Sequence, residues 1–71
     1  MPRNGEYELF TYKGTIVCLD DPDIPRIEFS EEIAEWIREQ DHLMWRSLSP
    51  PNQDIFYLKP KLYMMWKLKW V

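Results

Sequence analysis

The stretch Phe29-Ser-Glu-Glu-Ile-Ala-Glu-Trp-Ile-Arg-Glu-Gln40 leaves this chain the least conformational choice. Ser30 suits an N-cap, because its hydroxyl can accept from an orphan amide of a first helical turn. Glu31 and Glu32 then lie in that turn, where the helix dipole favours negative charge. Ile33, Trp36, Ile37 and Met44 recur at helical spacing and form one apolar stripe. Phe29, just before the cap, can fold back as a hydrophobic staple. A helix over about residues 30–41 follows. Its other side carries Glu31, Glu35, Arg38 and Glu39. Three of these acids stand four residues apart, a spacing that slightly destabilises an isolated helix. A solvated outer face explains such a line of charge, and so does an acidic ridge that meets a basic partner.

A chain of 71 residues reads as a single domain over 1–71. Domains of this size bury only about 60% of their unfolded surface, so the core is marginal. Four Trp, four Tyr and three Phe bring large apolar area per residue. Cys18 is the sole cysteine, which rules out an intramolecular disulfide and fits a cytoplasmic protein. Met1-Pro-Arg-Asn-Gly-Glu lacks the apolar core of a signal peptide, and no apolar run is long enough to span a membrane. The net charge of −3 hides an asymmetry. Residues 1–41 hold eleven of the twelve acids against four bases, a balance of −7. Residues 42–71 hold one acid against five bases, a balance of +4. Whether that division survives in space depends on whether the halves interleave.

Residues 1–5 read as a loose terminus. Glu6–Tyr12 alternates like a strand, Lys13-Gly14 is a turn, and Thr15–Leu19 is β-branched and apolar, a buried strand closing a hairpin. Asp20-Asp-Pro-Asp-Ile-Pro-Arg26 is a loop broken twice by proline, and Ile27–Phe29 leads into the helix. Leu43–Leu48 and Asp54–Leu58 read as strands joined by a turn at Ser49–Gln53, a second hairpin. At the end, Trp66-Lys-Leu-Lys-Trp70 alternates like a strand. Pro60, however, suits the first position of a helix, and Leu62, Met65, Trp66 and Lys69 fall on one helical face. The balance favours a short C-terminal helix.

The segment from Ile55-Phe-Tyr-Leu58 through Met64-Met-Trp-Lys-Leu-Lys-Trp70 resembles the ending of small uncharacterised proteins of tailed phages. It covers roughly the last 18 residues. It departs at Pro60, where that pattern has acidic residues. The resemblance implies a small accessory or host-directed protein acting in a host cytoplasm, and it names no functional residue.

Chemistry-bearing patterns are sparse. Asp20, Asp21 and Asp23 offer oxygen ligands but lack the twelve-residue loop pattern, its glycine and its terminal Glu, so a solvated acidic turn is expected and no metal. Asp41-His42 and Cys18 invite an acid–base or nucleophilic reading, yet nothing in the sequence brings Cys18 and His42 together. No glycine-rich loop or metal-spaced Cys/His set occurs, and no cofactor is expected. Lys59, Lys61, Lys67 and Lys69 interleave with Tyr57, Tyr63, Trp66 and Trp70 in the manner of a nucleic-acid platform. A small domain needs those rings for its core and the net charge is negative, so direct nucleic-acid binding is not expected.

The expected fold is α+β: a small antiparallel sheet of two hairpins, with the central helix and a short C-terminal helix on one face. The expected function is binding without catalysis, as a small acidic inhibitor or modulator of a nucleic-acid-handling machine. The partner is a larger protein with a basic surface, met by Glu31, Glu32, Glu35, Glu39, Asp20, Asp21 and Asp23. The alternatives are a direct nucleic-acid binder using Lys59, Lys61, Lys67, Lys69 and Trp70, and a homo-oligomeric accessory subunit that self-associates through exposed Trp.

Overall fold

A computed structural model of the protein describes residues 6–47 and 55–71. The expected loose terminus at 1–5 and turn at 49–53 lie outside them. The chain runs β1 (Tyr7–Tyr12), β2 (Thr15–Cys18), β3 (Ile27–Glu28), α1 (Glu31–Arg38), β4 (Trp45–Ser47), β5 (Ile55–Leu58) and α2 (Pro60–Trp70). All strand pairs are antiparallel, in the order β3-β2-β1-β5-β4. The fold is α+β. The hairpins β1–β2 and β4–β5 are fused through β1 against β5, with Leu9 opposite Phe56. The fifth strand was not anticipated: Ile27–Glu28, expected as a lead-in, pairs with Ile16 and Thr15 of β2 as a short edge.

Strand alternation decides where the core lies. Tyr7, Leu9 and Thr11 share a face with Ile16, Cys18, Phe56, Leu58 and Ile27 through their cross-strand partners. Leu9, Ile16, Phe56 and Leu58 are buried in one cluster with Ile33, Ala34 and Ile37 of α1 and Leu62, Tyr63 and Trp66 of α2. Both helices therefore cover the same sheet face. Glu8, Phe10, Tyr12, Thr15, Val17, Ile55 and Tyr57 belong to the other face, and Val17 and Leu19 are not buried as expected of a fully covered strand.

The β1–β2 turn places Lys13 at φ 52° and Gly14 at φ 77°, both positive as a two-residue type I′ connection demands. Glycine takes this freely. Lys13 is held in a region that costs a side-chain-bearing residue on the order of 1 kcal/mol.

Helix α1 begins as expected: the Ile33 amide donates to Ser30 Oγ at 3.3 Å. It ends at Arg38 rather than near residue 41. Asp41 Oδ1 accepts from the Leu43 amide at 2.9 Å and its carbonyl accepts from Met44 at 2.8 Å, so an Asx turn competes with further helix and starts β4. The Trp45 indole donates to the Gln40 carbonyl at 3.1 Å across that turn. Trp36 was expected mid-stripe but is only half-buried, and Ala34 faces the sheet instead. Helix α2 starts at Pro60, whose missing N–H costs nothing at a first helical position. Its inward residues are Leu62, Tyr63 and Trp66, with Trp70 half-buried. Met65, expected inside, is 43% exposed.

Candidate functional site

Helices α1 and α2 lie side by side, joined by an edge-to-face contact of Trp36 and Trp70 at 5.1 Å and 73°. Their outer surface is the candidate site. Glu31, Glu32, Glu35 and Glu39 are all exposed on α1 and its C-cap. Glu32, Glu35 and Glu39 line a shallow depression of about 230 Å³ together with Trp36 and Lys69. The ion pairs between described residues, Lys67–Asp21 and Arg46–Glu6, do not involve these four acids. Helix α2 also turns apolar groups outward: Met64 is 55% exposed and Leu68, one turn on, is 84% exposed. Lys61 precedes them on the same helical side and Lys69 flanks them. An apolar patch bordered by charge is the composition of a protein–protein interface, and methionine adapts to partners of differing shape.

The acidic loop before β3 has a different role. Asp20 Oδ2 accepts from the Glu8 amide at 3.0 Å, which ties the loop to β1. Asp21 is half-buried and carries three contacts. Its Oδ1 accepts from the Asp23 amide at 3.2 Å, and its Oδ2 accepts from Tyr63 Oη at 3.1 Å and Lys67 Nζ at 3.2 Å. The Lys67 ammonium, more than any other neighbour, holds the Asp21 carboxyl below the usual carboxylate range. The Tyr63 hydroxyl has one proton and gives it to Asp21, so its oxygen is left to accept from the Cys18 thiol, 3.4 Å away. Burial, reinforced by Cys18 and Asp21, pushes the Tyr63 phenol well above its ordinary range. Tyr7 stacks on the same ring at 4.2 Å. Asp21 thus works inside the fold, while Asp20 and Asp23 are exposed, Asp20 with its Oδ2 on the Glu8 amide.

Cys18 and His42 are not brought together. Cys18 is on β2 against Tyr63. His42 packs edge-on to Trp45 of β4, and β1 and β5 intervene between those strands, a separation of roughly 14 Å. Among the described residues no group of three or more His, Cys, Asp or Glu is placed to hold a metal.

The basic block divides. Lys59 and Lys61 are exposed at the start of α2, Lys67 is engaged by Asp21, and Lys69 Nζ lies 5.0 Å from the Trp70 ring. Trp70 packs on Trp36, so the rings of this block serve the helix contact and the core. Trp36, Trp45 and Trp70 are half-buried and each meets another ring, while Trp66 is fully buried.

The outward residues of α2 are not evident from the sequence, in which Leu62 and Met65 fall on one helical face. The weak amphipathy of Pro60–Trp70, apolar on nearly all sides, was the available signal. No helix among the described residues is long and apolar enough to cross a membrane. Set against protein-family models, curated proteins and solved structures, the chain matches none.

Proposed function

We propose that the protein is a non-catalytic protein-binding module of the cytoplasm that docks through the outer surface of its helix layer. The observation that supports this most is that the two helices together expose apolar groups, Met64 and Leu68 on α2, and acids, Glu32, Glu35 and Glu39 on α1 and its C-cap. Burying the apolar patch supplies affinity, and the acids supply orientation and encounter rate against a basic partner. A partner with a basic, phosphate-recognising surface belongs to the nucleic-acid-handling machines, and a rigid acidic ridge can occupy such a surface as an inhibitor or modulator. The resemblance of the C-terminal segment to small phage proteins is consistent with a host-directed role, by analogy alone.

The test begins with capture of a partner from bacterial lysate and its identification by mass spectrometry, followed by binding kinetics. Glu35→Gln with Glu39→Gln slows association at low salt, and the difference shrinks as salt rises. Leu68→Ser speeds dissociation. Both variants keep the wild-type Tm within about 2 °C, because exposed groups contribute little to stability. Wild-type rate constants for both variants would overturn the reading.

A further inference from the structure

The sheet face turned away from the helices holds a recess of about 490 Å³, lined by Phe10 and Tyr12 of β1, Thr15 and Val17 of β2, Lys13 of the turn and Arg26 ahead of β3. We propose that this recess binds one nucleotide unit, with its base stacked on the Phe10 and Tyr12 rings and its phosphate held by Lys13 and Arg26.

The argument starts from alternation. Phe10 and Tyr12 are two residues apart on β1, so both rings belong to the open face, about 7 Å apart along the strand. Val17 is opposite Phe10 and Thr15 opposite Tyr12, which adds an apolar floor and a hydroxyl. Tyr12 is 55% exposed, an unusual position for a ring in a chain that needs its aromatics for a core. Lys13 Nζ lies 5.5 Å from the Tyr12 ring centroid, so a cation and an aromatic face are presented together. The tight turn fixes Lys13 in a conformation that lysine seldom takes.

The chemistry of the lining selects the ligand. The described residues that line the recess bring two cations, two rings and the hydroxyls of Tyr12 and Thr15, and no carboxylate is among them. Its volume suits a small molecule or a single nucleotide rather than a duplex. A peptide added as a strand finds few free backbone groups at the recess. β1 pairs with β2 over Leu9–Tyr12 and with β5 over Tyr7–Phe10, and β3 covers Thr15 and Ile16 of β2. Recognition must come mainly from side chains, and rings beside cations are what aromatic phosphates require. Glu28, opposite Thr15 on the edge strand, belongs to the same face at the rim, and the whole chain carries −3. Both oppose a second phosphate, which limits the site to one unit of a nucleotide, free or at the end of a single strand. The proposal does not rest on the helix-layer reading, because it uses the opposite side of the sheet.

The test is amide-resolved NMR titration of the whole protein with adenosine monophosphate, with adenosine and inorganic phosphate as separate arms. The expected result is saturable shifts over residues 10–17 and at Arg26, with a Kd under about 1 mM for the nucleotide. Each of the other arms binds at least about tenfold more weakly. Lys13→Gln with Arg26→Gln, both at exposed positions, weakens the nucleotide at least about tenfold and leaves adenosine unchanged. Tyr12→Ala weakens nucleotide and adenosine alike. Glu35→Gln with Glu39→Gln changes neither. A tetranucleotide arm identifies the source: affinity within about tenfold of the mononucleotide assigns a strand end, affinity weaker by more than that a free nucleotide, and affinity raised about tenfold or more would overturn the one-unit site. No saturable shift at these residues would overturn the proposal, as would inorganic phosphate matching the nucleotide or the Lys13/Arg26 variant binding as wild type.

Discussion

Two side chains on α2 carry unusual local chemistry. Trp66 is fully buried, yet its indole N–H has no hydrogen-bond partner among the described residues. A buried donor without an acceptor costs about 1–3 kcal/mol. Trp66→Phe removes that donor while losing part of the packing, so the two effects oppose. The expected change by urea unfolding is within about 1 kcal/mol of wild type, against about 3–5 kcal/mol for Trp66→Ala. Equal losses for both variants would show that the indole N–H carries no penalty. Tyr63 is buried between Tyr7, Cys18 and Asp21, and its phenol is raised above the ordinary value of about 10. A raised folded-state value means that this stabilising contribution is complete below pH about 10 and lost as pH rises toward the folded value. Phenolate absorbance during alkaline titration should therefore show a late step that coincides with unfolding and is missing from Tyr63→Phe. If Tyr63→Phe instead loses amplitude from the early, pre-unfolding part of the curve, Tyr63 is not the protected phenol.

At the scale of elements, the two helices communicate through Trp36 and Trp70. An edge-to-face aromatic pair is worth about 0.5–1.5 kcal/mol beyond its buried area, so a double-mutant cycle with Trp36→Ala and Trp70→Ala should return a coupling of that size. A coupling near zero would mean that each ring packs independently on its own helix. The elements themselves were largely legible. Ser30, Lys13-Gly14 and Pro60 are local stop and start signals whose physics needs no distant partner, and α1, the first hairpin and α2 follow from them. What escaped was decided at a distance. Ile27–Glu28 becomes a strand only because β2 offers it an edge, and α1 stops early because Asp41 turns the chain toward β4. The buried face of α2 rotated away from Met65 because Tyr63 is claimed by Tyr7, Cys18 and Asp21, none of them adjacent in sequence. The candidate site was half legible for the same reason: an acidic line on α1 can be read from spacing, whereas Met64 and Leu68 are recognised as free only once the other sides of α2 are covered.

Over the whole molecule, the acidic first half and basic second half interleave instead of facing apart. β5 inserts beside β1, and Asp21 reaches Lys67 across 46 positions of sequence, while Glu6 meets Arg46 at 3.5 Å. Among the described residues two ion pairs thus join the halves, and the acids of α1 take part in neither. The Asp21–Lys67 contact is the better placed of the two pairs, since Asp21 also accepts from Tyr63 and the Asp23 amide. It fastens the loop after β2 to the last turns of α2. Its pH dependence follows from the lowered Asp21 value. A carboxylate whose folded-state value is depressed stabilises the protein at pH values above its unfolded value, and that stabilisation is lost as pH falls through the folded value. Asp21→Asn should therefore melt below wild type near neutral pH. The gap should begin to close below about pH 5, as protonation removes from the wild type what the variant already lacks. Lys67→Met should reproduce the gap at neutral pH and its closure in acid. High salt should narrow the gap only in part, because Asp21 is half-buried and less screened than a surface carboxylate. A gap of constant size from neutral pH into the acid range would assign the loss to hydrogen-bond geometry alone, and the charge pairing between the two halves would then have no share in holding them together.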